Sequence, residues 1–321
     1  MTKTILITGG SGVLGKKLLY SLIDDFKIIA IGKSYANFPN SIRFHKNFKF
    51  YERDLTKINS IEDFMIPESV DLILHLAAVV SGIKVTEEFY HQINVNSTKL
   101  LVEFAKSKNI PHFGFVSSVS VYGSKEVSLE IGSERTGKTI YAKTKALAED
   151  FVLNSSEAYS VFRMASIYGK STKSFISKLR SLAKLKIYPY ISSDRKKSLI
   201  HIEDASKALA LWTKQTLNGK STQPVYVFSH PEFVTVNQVI RTFQELGIIG
   251  KFLIPIPVGG VWGKIVELMF RFISFIRRKP FHGSPLQPLL ESVAIYDEQS
   301  FANLGFFPEQ DLRKGLTDYQ L

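Results

Sequence analysis

The chain has 321 residues, 45% of them hydrophobic, a formal net charge of +12 and no cysteine. Such a length and apolar content support a large packed core and exclude a disordered chain, and the missing cysteines exclude a disulfide framework, a thiolate nucleophile and a zinc–thiolate centre. The positive charge attracts polyanions, nucleoside diphosphates or anionic lipid, but the basic residues are scattered and match no nucleic-acid motif, so no nucleic-acid partner is expected.

The run from Thr4 to Thr8 has strand length and lacks the long apolar stretch and cleavage site of a secretory leader, so a cytoplasmic location is expected. It leads into Thr8-Gly9-Gly10-Ser11-Gly12-Val13-Leu14-Gly15, which opens an amphipathic helix over 14–23. At such a strand-to-helix turn Gly9, Gly12 and Gly15 supply a tight bend, close approach to a pyrophosphate and close packing of helix on strand. Val13 and Leu14 then begin a helix whose first amides face the anion. The second strand, 27–31, ends at Gly32-Lys33 with no carboxylate for a ribose 2′-hydroxyl; a cation there suits a 2′-phosphate, so NADP is expected ahead of NAD.

Further strands over 71–75, 112–117, 160–164 and 224–229 alternate with helical patterns such as 95–107, which predicts an α/β fold with a doubly wound parallel sheet. Ligands bind such sheets beyond the carboxyl ends of the strands, here just after Ile7, Ile31, Leu74 and Val116. After Val116 come Ser117, Ser118 and Ser120, whose hydroxyls can meet a substrate carbonyl or alkoxide. Tyr141 and Lys145 stand four residues apart on one helical face, and an ammonium beside a phenol favours the phenolate. That pair suits the proton transfer that accompanies reduction of a ketone or oxidation of an alcohol.

The expected organisation is a dinucleotide-binding domain over 1–170, to which 196–230 returns, and a smaller substrate-binding domain built from 171–195 and 231–321. Within the latter, 261–278 places Lys264, Glu267, Arg271, Ser274 and Arg278 opposite Ile265, Leu268, Met269, Phe272 and Phe275. A basic amphipathic helix of this kind packs on its own protein, lies on a membrane surface or covers an apolar substrate. No uncharged run is long enough to cross a bilayer.

With these motifs in place, the chain resembles the extended short-chain dehydrogenase/reductase family over nearly its whole length. The matching residues are the loop from Thr8 to Gly15, Asp54-Leu55, His75-Leu76-Ala77-Ala78, Asn94-Val95-Asn96, Ser117-Ser118 with Val121-Tyr122-Gly123, Tyr141 to Lys145, Arg163 with Ile167-Tyr168-Gly169, and Ile200 to Asp204. The resemblance implies that Ser118 is the catalytic serine, Tyr141 the acid/base, and Lys145 the residue that lowers the Tyr141 pKa and holds the nicotinamide ribose. It puts Asp54 and Leu55 by the adenine, Ala77 and Ala78 along the cofactor, and Asn96 in support of the sheet and active site. For His75 and Asn96 plain structural roles stay open.

Within the family, the branch acting on nucleoside-diphosphate sugars is the most similar, on Ser198 to Asp204, Ile254-Pro255-Ile256-Pro257 and Leu304-Gly305-Phe306-Phe307-Pro308. It implies a diphosphate-binding cation before Asp204, where Arg195, Lys196 and Lys197 stand; Arg195 and Lys197 are taken as the candidates. The expected activity is NADPH-dependent reduction of a 4-keto nucleoside-diphosphate sugar for surface polysaccharide synthesis. The alternatives are a 4-epimerase with retained NAD, a hydroxysteroid or other lipid-alcohol dehydrogenase, and a non-catalytic nucleotide-sensing relative. A homodimer, a peripheral membrane contact through 261–278 and no metal complete the expectations.

Overall fold

Seven strands pair in parallel to form one sheet in the computed structural model, which describes residues 2–83, 85–124, 129–155, 158–172, 174–190, 195–220, 222–257, 268 and 292–320. They are β1 (Thr4–Thr8), β2 (Lys27–Gly32), β3 (Phe48–Glu52), β4 (Leu72–His75), β5 (His112–Ser118), β6 (Tyr159–Met164) and β10 (Val225–Phe228). The short strands β7 (Ser166–Tyr168), β8 (Ile187–Tyr190), β9 (Leu199–His201) and β11 (Ile254–Pro257) lie outside that sheet. The order β3-β2-β1-β4-β5-β6-β10 reverses direction between β1 and β4. At that reversal the chain leaves the two strands toward opposite sides, which opens a crevice at their carboxyl ends.

Strands covered on both faces bury nearly every residue, and β1 and β4 do so. Ile5 and Ile7 pack with Leu18, Leu19 and Leu22 of α1 (Val13–Leu22) and with Ala205 and Leu209 of a long helix, Ile202–Leu217. Leu6, one residue out of phase, joins Ile73, Phe113 and Phe115 against Leu101 of α2 (Ser97–Ser107) and Val152 of α3 (Ile140–Leu153). The edge strand β3 was not foreseen, because Phe48-Lys49-Phe50-Tyr51-Glu52 mixes aromatic and charged residues, as a half-solvated edge allows.

A second, smaller core gathers Phe175, Ile176 and Leu179 of α4 (Phe175–Lys184), Val239 and Phe243 of the helix Val236–Glu245, and the C-terminal Leu312, Leu316 and Tyr319. Parallel strands β8 and β11 form a ribbon on it. Pro255 and Pro257 are tolerated in β11 because a two-stranded ribbon has free edges. The amphipathic segment 261–278 lies outside the described residues except for Leu268, which is helical and exposed. No helix among the described residues is long and apolar enough to cross a membrane.

Candidate active site

The turn after β1 has the shape of a cradle. Gly9 has φ +70°, and a Cβ there would come within 2.6 Å of the Ala77 amide nitrogen; a Cβ on Gly15 would come within 2.4 Å of the Gly9 carbonyl oxygen. Both positions therefore admit only hydrogen. Gly12 is the N-cap of α1 and has no side chain to cap it, so the amides of Val13, Leu14 and Gly15 open toward the crevice as an anion site. Ala77 and Ala78 continue from β4 across this turn, the former through its amide, which donates to Thr8 Oγ1 at 3.2 Å.

The floor of the crevice is a closed polar chain. Thr8 Oγ1 lies 2.6 Å from His75 Nδ1, and His75 Nε2 lies 2.9 Å from Thr98 Oγ1, which donates to the Asn94 carbonyl. Since Thr98 spends its one hydroxyl proton on the Asn94 carbonyl, it must accept from His75 Nε2–H, which assigns the Nε2–H tautomer and leaves Nδ1 to accept from the Thr8 hydroxyl. Burial, reinforced by the charge of Lys145, pushes the His75 pKa down to about 3. The histidine is thus a neutral, satisfied strand-end residue.

Ser118 closes β5 and accepts from the Ser120 amide at 3.2 Å. Thr139 caps α3 by accepting from the Ala142 amide, so Tyr141 falls in the first helical turn, and its side chain is hydrogen-bonded to that of Ser118. Burial pushes the Tyr141 pKa up to about 12, against the Ser118 hydrogen bond, which favours the phenolate. Lys145 is buried, donates to the Val116 carbonyl at 2.7 Å and stands 4.4 Å from the Phe115 ring centroid. Burial draws its pKa down to about 7, with the Glu149 carboxylate pulling the other way. In this state the Lys145 ammonium is directed to the Val116 carbonyl of β5, and burial holds the phenol neutral.

The role expected of Asn96 is corrected. It is exposed and bonds Gln92, whereas Asn94 is buried, pairs with both backbone groups of Val79 and donates to Thr144 Oγ1 at 3.2 Å. The cause is a π-helical turn over Gln92–Asn96, in which the Ser97 amide reaches back five residues to the Gln92 carbonyl. This wide turn puts Asn94 on the inner side, where it ties the loop after β4 to the helix bearing Tyr141 and Lys145.

At the far end of the crevice Lys33 and Asp54 meet each other at 3.3 Å, from the ends of β2 and β3. Asp54 also accepts from the amide and hydroxyl of Thr56; these contacts and Lys33 hold its pKa below the usual carboxylate value against partial burial. Leu55 is buried beside them. On the opposite side, Ser292 accepts no role foreseen from sequence: its amide donates to Ser124 Oγ and its hydroxyl to the Lys196 carbonyl, which joins 195–197 to the loop after Ser118. Arg195 is half-buried there, and Lys197 is buried, 5.8 Å from the Phe175 ring centroid.

One feature had no local sequence signal. Glu149, fully buried one turn beyond Lys145, accepts from Ser117 Oγ at 2.6 Å and from Arg163 Nη2 at 2.8 Å, while the partly exposed Arg135 donates to it at 3.3 Å. Arg163 further bonds the Tyr122 hydroxyl at 2.7 Å.

The model of the NAD dependent epimerase/dehydratase family matches residues 5–227. The chain belongs to that family. It is an enzyme of the extended short-chain dehydrogenase/reductase type, with an NAD-type dinucleotide as cofactor. The human dTDP-D-glucose 4,6-dehydratase is 31% identical over 183 residues, 52% of this chain and 52% of that protein, so the chain spans about half the length of that relative. The decarboxylating sterol-4-alpha-carboxylate 3-dehydrogenase of Candida albicans is 25% identical over 98% of this chain and 96% of its own. The solved UDP-glucuronic acid 4-epimerase of Bacillus cereus, in complex with NAD, superposes with a TM-score of 0.76 at 16% identity, covering 99% of this chain and 97% of that one, a likeness of fold.

Proposed function

We propose that the protein is an NAD-dependent 4-epimerase of a nucleoside-diphosphate sugar. The observation that carries the choice is the Lys33–Asp54 ion pair, which neutralises the one cation that argued for a 2′-phosphate and sets a carboxylate at the same place. Reduction of a 4-keto sugar by NADPH, the expectation drawn from Lys33 alone, loses its support with that pairing. A 4,6-dehydratase must also eliminate water, which needs a further acid and base; the loop bearing Ser118 continues with Val119 and Ser120, which are neither.

The residues fit a dinucleotide. Gly9, Gly12 and Gly15 with the amides of Val13 and Leu14 would hold the pyrophosphate, Asp54 and Leu55 the adenosine end, Ala77 and Ala78 the middle, and Lys145 the nicotinamide ribose. NAD supplies the acceptor, and then the donor, of the hydride at C4. Ser118 and Tyr141 hold the sugar oxygen between them; Tyr141 takes the hydroxyl proton as the ketone forms and returns it on reduction. A cation brought near a buried phenol lowers its pKa, and Lys145, poised near 7, exchanges charge in the working range. Arg195 and Lys197 would hold the diphosphate of the substrate.

Two measurements decide the reading. Denatured protein should release stoichiometric NAD, and the native enzyme should interconvert a UDP-hexose with its 4-epimer without added cofactor. Release of NADP, or turnover only with added NADPH, would restore the reductase.

A further inference from the structure

The ribbon of β8 and β11, with the residues that lead into it, carries apolar side chains that are exposed among the described residues. Ile254 lies beside Ile187 and Ile256 beside Pro189 in register, and the Ile254 amide donates to the Lys186 carbonyl at 2.8 Å. Tyr188 and Leu253 pack against the second core and Pro189 is buried, whereas Ile254, Pro255 and Ile256 are exposed and Ile187 is half-buried. Phe252 is 93% exposed, Leu185 70% and Ile254 65%. Ordinary surfaces scatter such residues singly, whereas these lie in the two segments that lead into the paired strands and at the start of β11.

Lysines border this face. Lys184, Lys186 and Lys251 are exposed next to Leu185 and Phe252, and none has a carboxylate partner among the described residues. Glu245, the acid preceding Lys251, is instead engaged by Arg313 at 2.6 Å. The chain as a whole carries +12. Large apolar side chains together with unpaired ammonium groups are complementary to a surface that offers anionic headgroups above hydrocarbon. A polyanion such as nucleic acid would leave Phe252 and Leu185 in water.

We propose that the β8–β11 ribbon is a docking surface for an anionic lipid bilayer, inserting Leu185, Phe252 and Ile254 at the headgroup boundary with Lys184, Lys186 and Lys251 on the phosphates. The enzyme is thereby held at a membrane without spanning it. This is independent of the sugar and the cofactor, and stands or falls separately from the epimerase reading.

The test is flotation of the full chain with phosphatidylcholine vesicles, with and without phosphatidylglycerol. Co-flotation is expected with the anionic vesicles only, weakening as salt rises. Lys184→Ser with Lys251→Ser should lower the partition coefficient by on the order of tenfold or more, and Leu185→Ser with Phe252→Ser should lower it without changing NAD content. Absence of binding to anionic vesicles, equal binding to neutral ones, or wild-type binding by both double variants overturns the proposal. So does a dimer, seen by sedimentation, that Leu185→Ser with Phe252→Ser converts to monomer while vesicle binding persists, since the face then belongs to a second copy. A large loss of thermal stability in that variant, with unchanged partitioning of the lysine variant, assigns the face to the protein's own packing and overturns it equally.

Discussion

Tyr141 and Lys145 on one side, and Glu149 with Arg163 on the other, are polar groups on or against the same helical face, spaced by four residues along α3. They differ in how completely they are satisfied. Lys145 has a carbonyl and an aromatic ring but no carboxylate, and Tyr141 has one serine; burial accordingly drives the lysine to about 7 and the phenol to about 12. Glu149 receives a serine and two guanidinium groups and Arg163 a carboxylate, a phenol and a carbonyl. Incomplete pairing leaves charge free to move at the first pair, and complete pairing fixes it at the second.

If that contrast is right, the two pairs must fail differently. Tyr141→Phe removes the proton carrier and should lower turnover by about 10²–10⁴-fold, while the lost hydrogen bond costs only about 0.5–1.5 kcal/mol of stability. Steady-state kinetics beside a denaturant titration would show it, and turnover within a few-fold of wild type would break the comparison. Glu149→Ala should do the reverse, leaving Arg163 buried without its counter-charge at a cost of about 3–5 kcal/mol. A loss under about 1 kcal/mol in urea unfolding would mean that the network is not structural.

The sequence made the parallel sheet, the phosphate loop and the Ser118–Tyr141–Lys145 set legible because each is written locally, as strand-length apolar runs, glycines in one turn, or a four-residue helical spacing. What stayed hidden depends on partners far along the chain. Lys33 read as a lone cation because Asp54 meets it only when β3 pairs with β2, and β3 itself was obscured by its edge position. Asn96 was chosen over Asn94 because regular helical phase was assumed where a π-turn intervenes. Glu149 and Arg163 lie 14 residues apart on different elements, so no spacing rule joins them.

His75 gives the finest test of the contrast, since it lies under the crevice yet belongs with the satisfied groups. Its folded pKa is pushed from 6.5 to about 3, so below 6.5 the unfolded chain takes up a proton that the folded protein refuses. Stability from this residue is therefore complete above pH 6.5 and is lost as pH falls toward 3, by about 1.4 kcal/mol per pH unit. Between pH 6.5 and 5, above the range in which ordinary carboxylates titrate, the unfolding free energy of the wild type should fall by that slope relative to His75→Gln, which keeps hydrogen-bonding capacity between Thr8 and Thr98 but cannot titrate. Parallel pH dependence in the two proteins would show that the histidine is protonated in the fold, and would move it from the sealed floor of the crevice into the group whose charge is free to change.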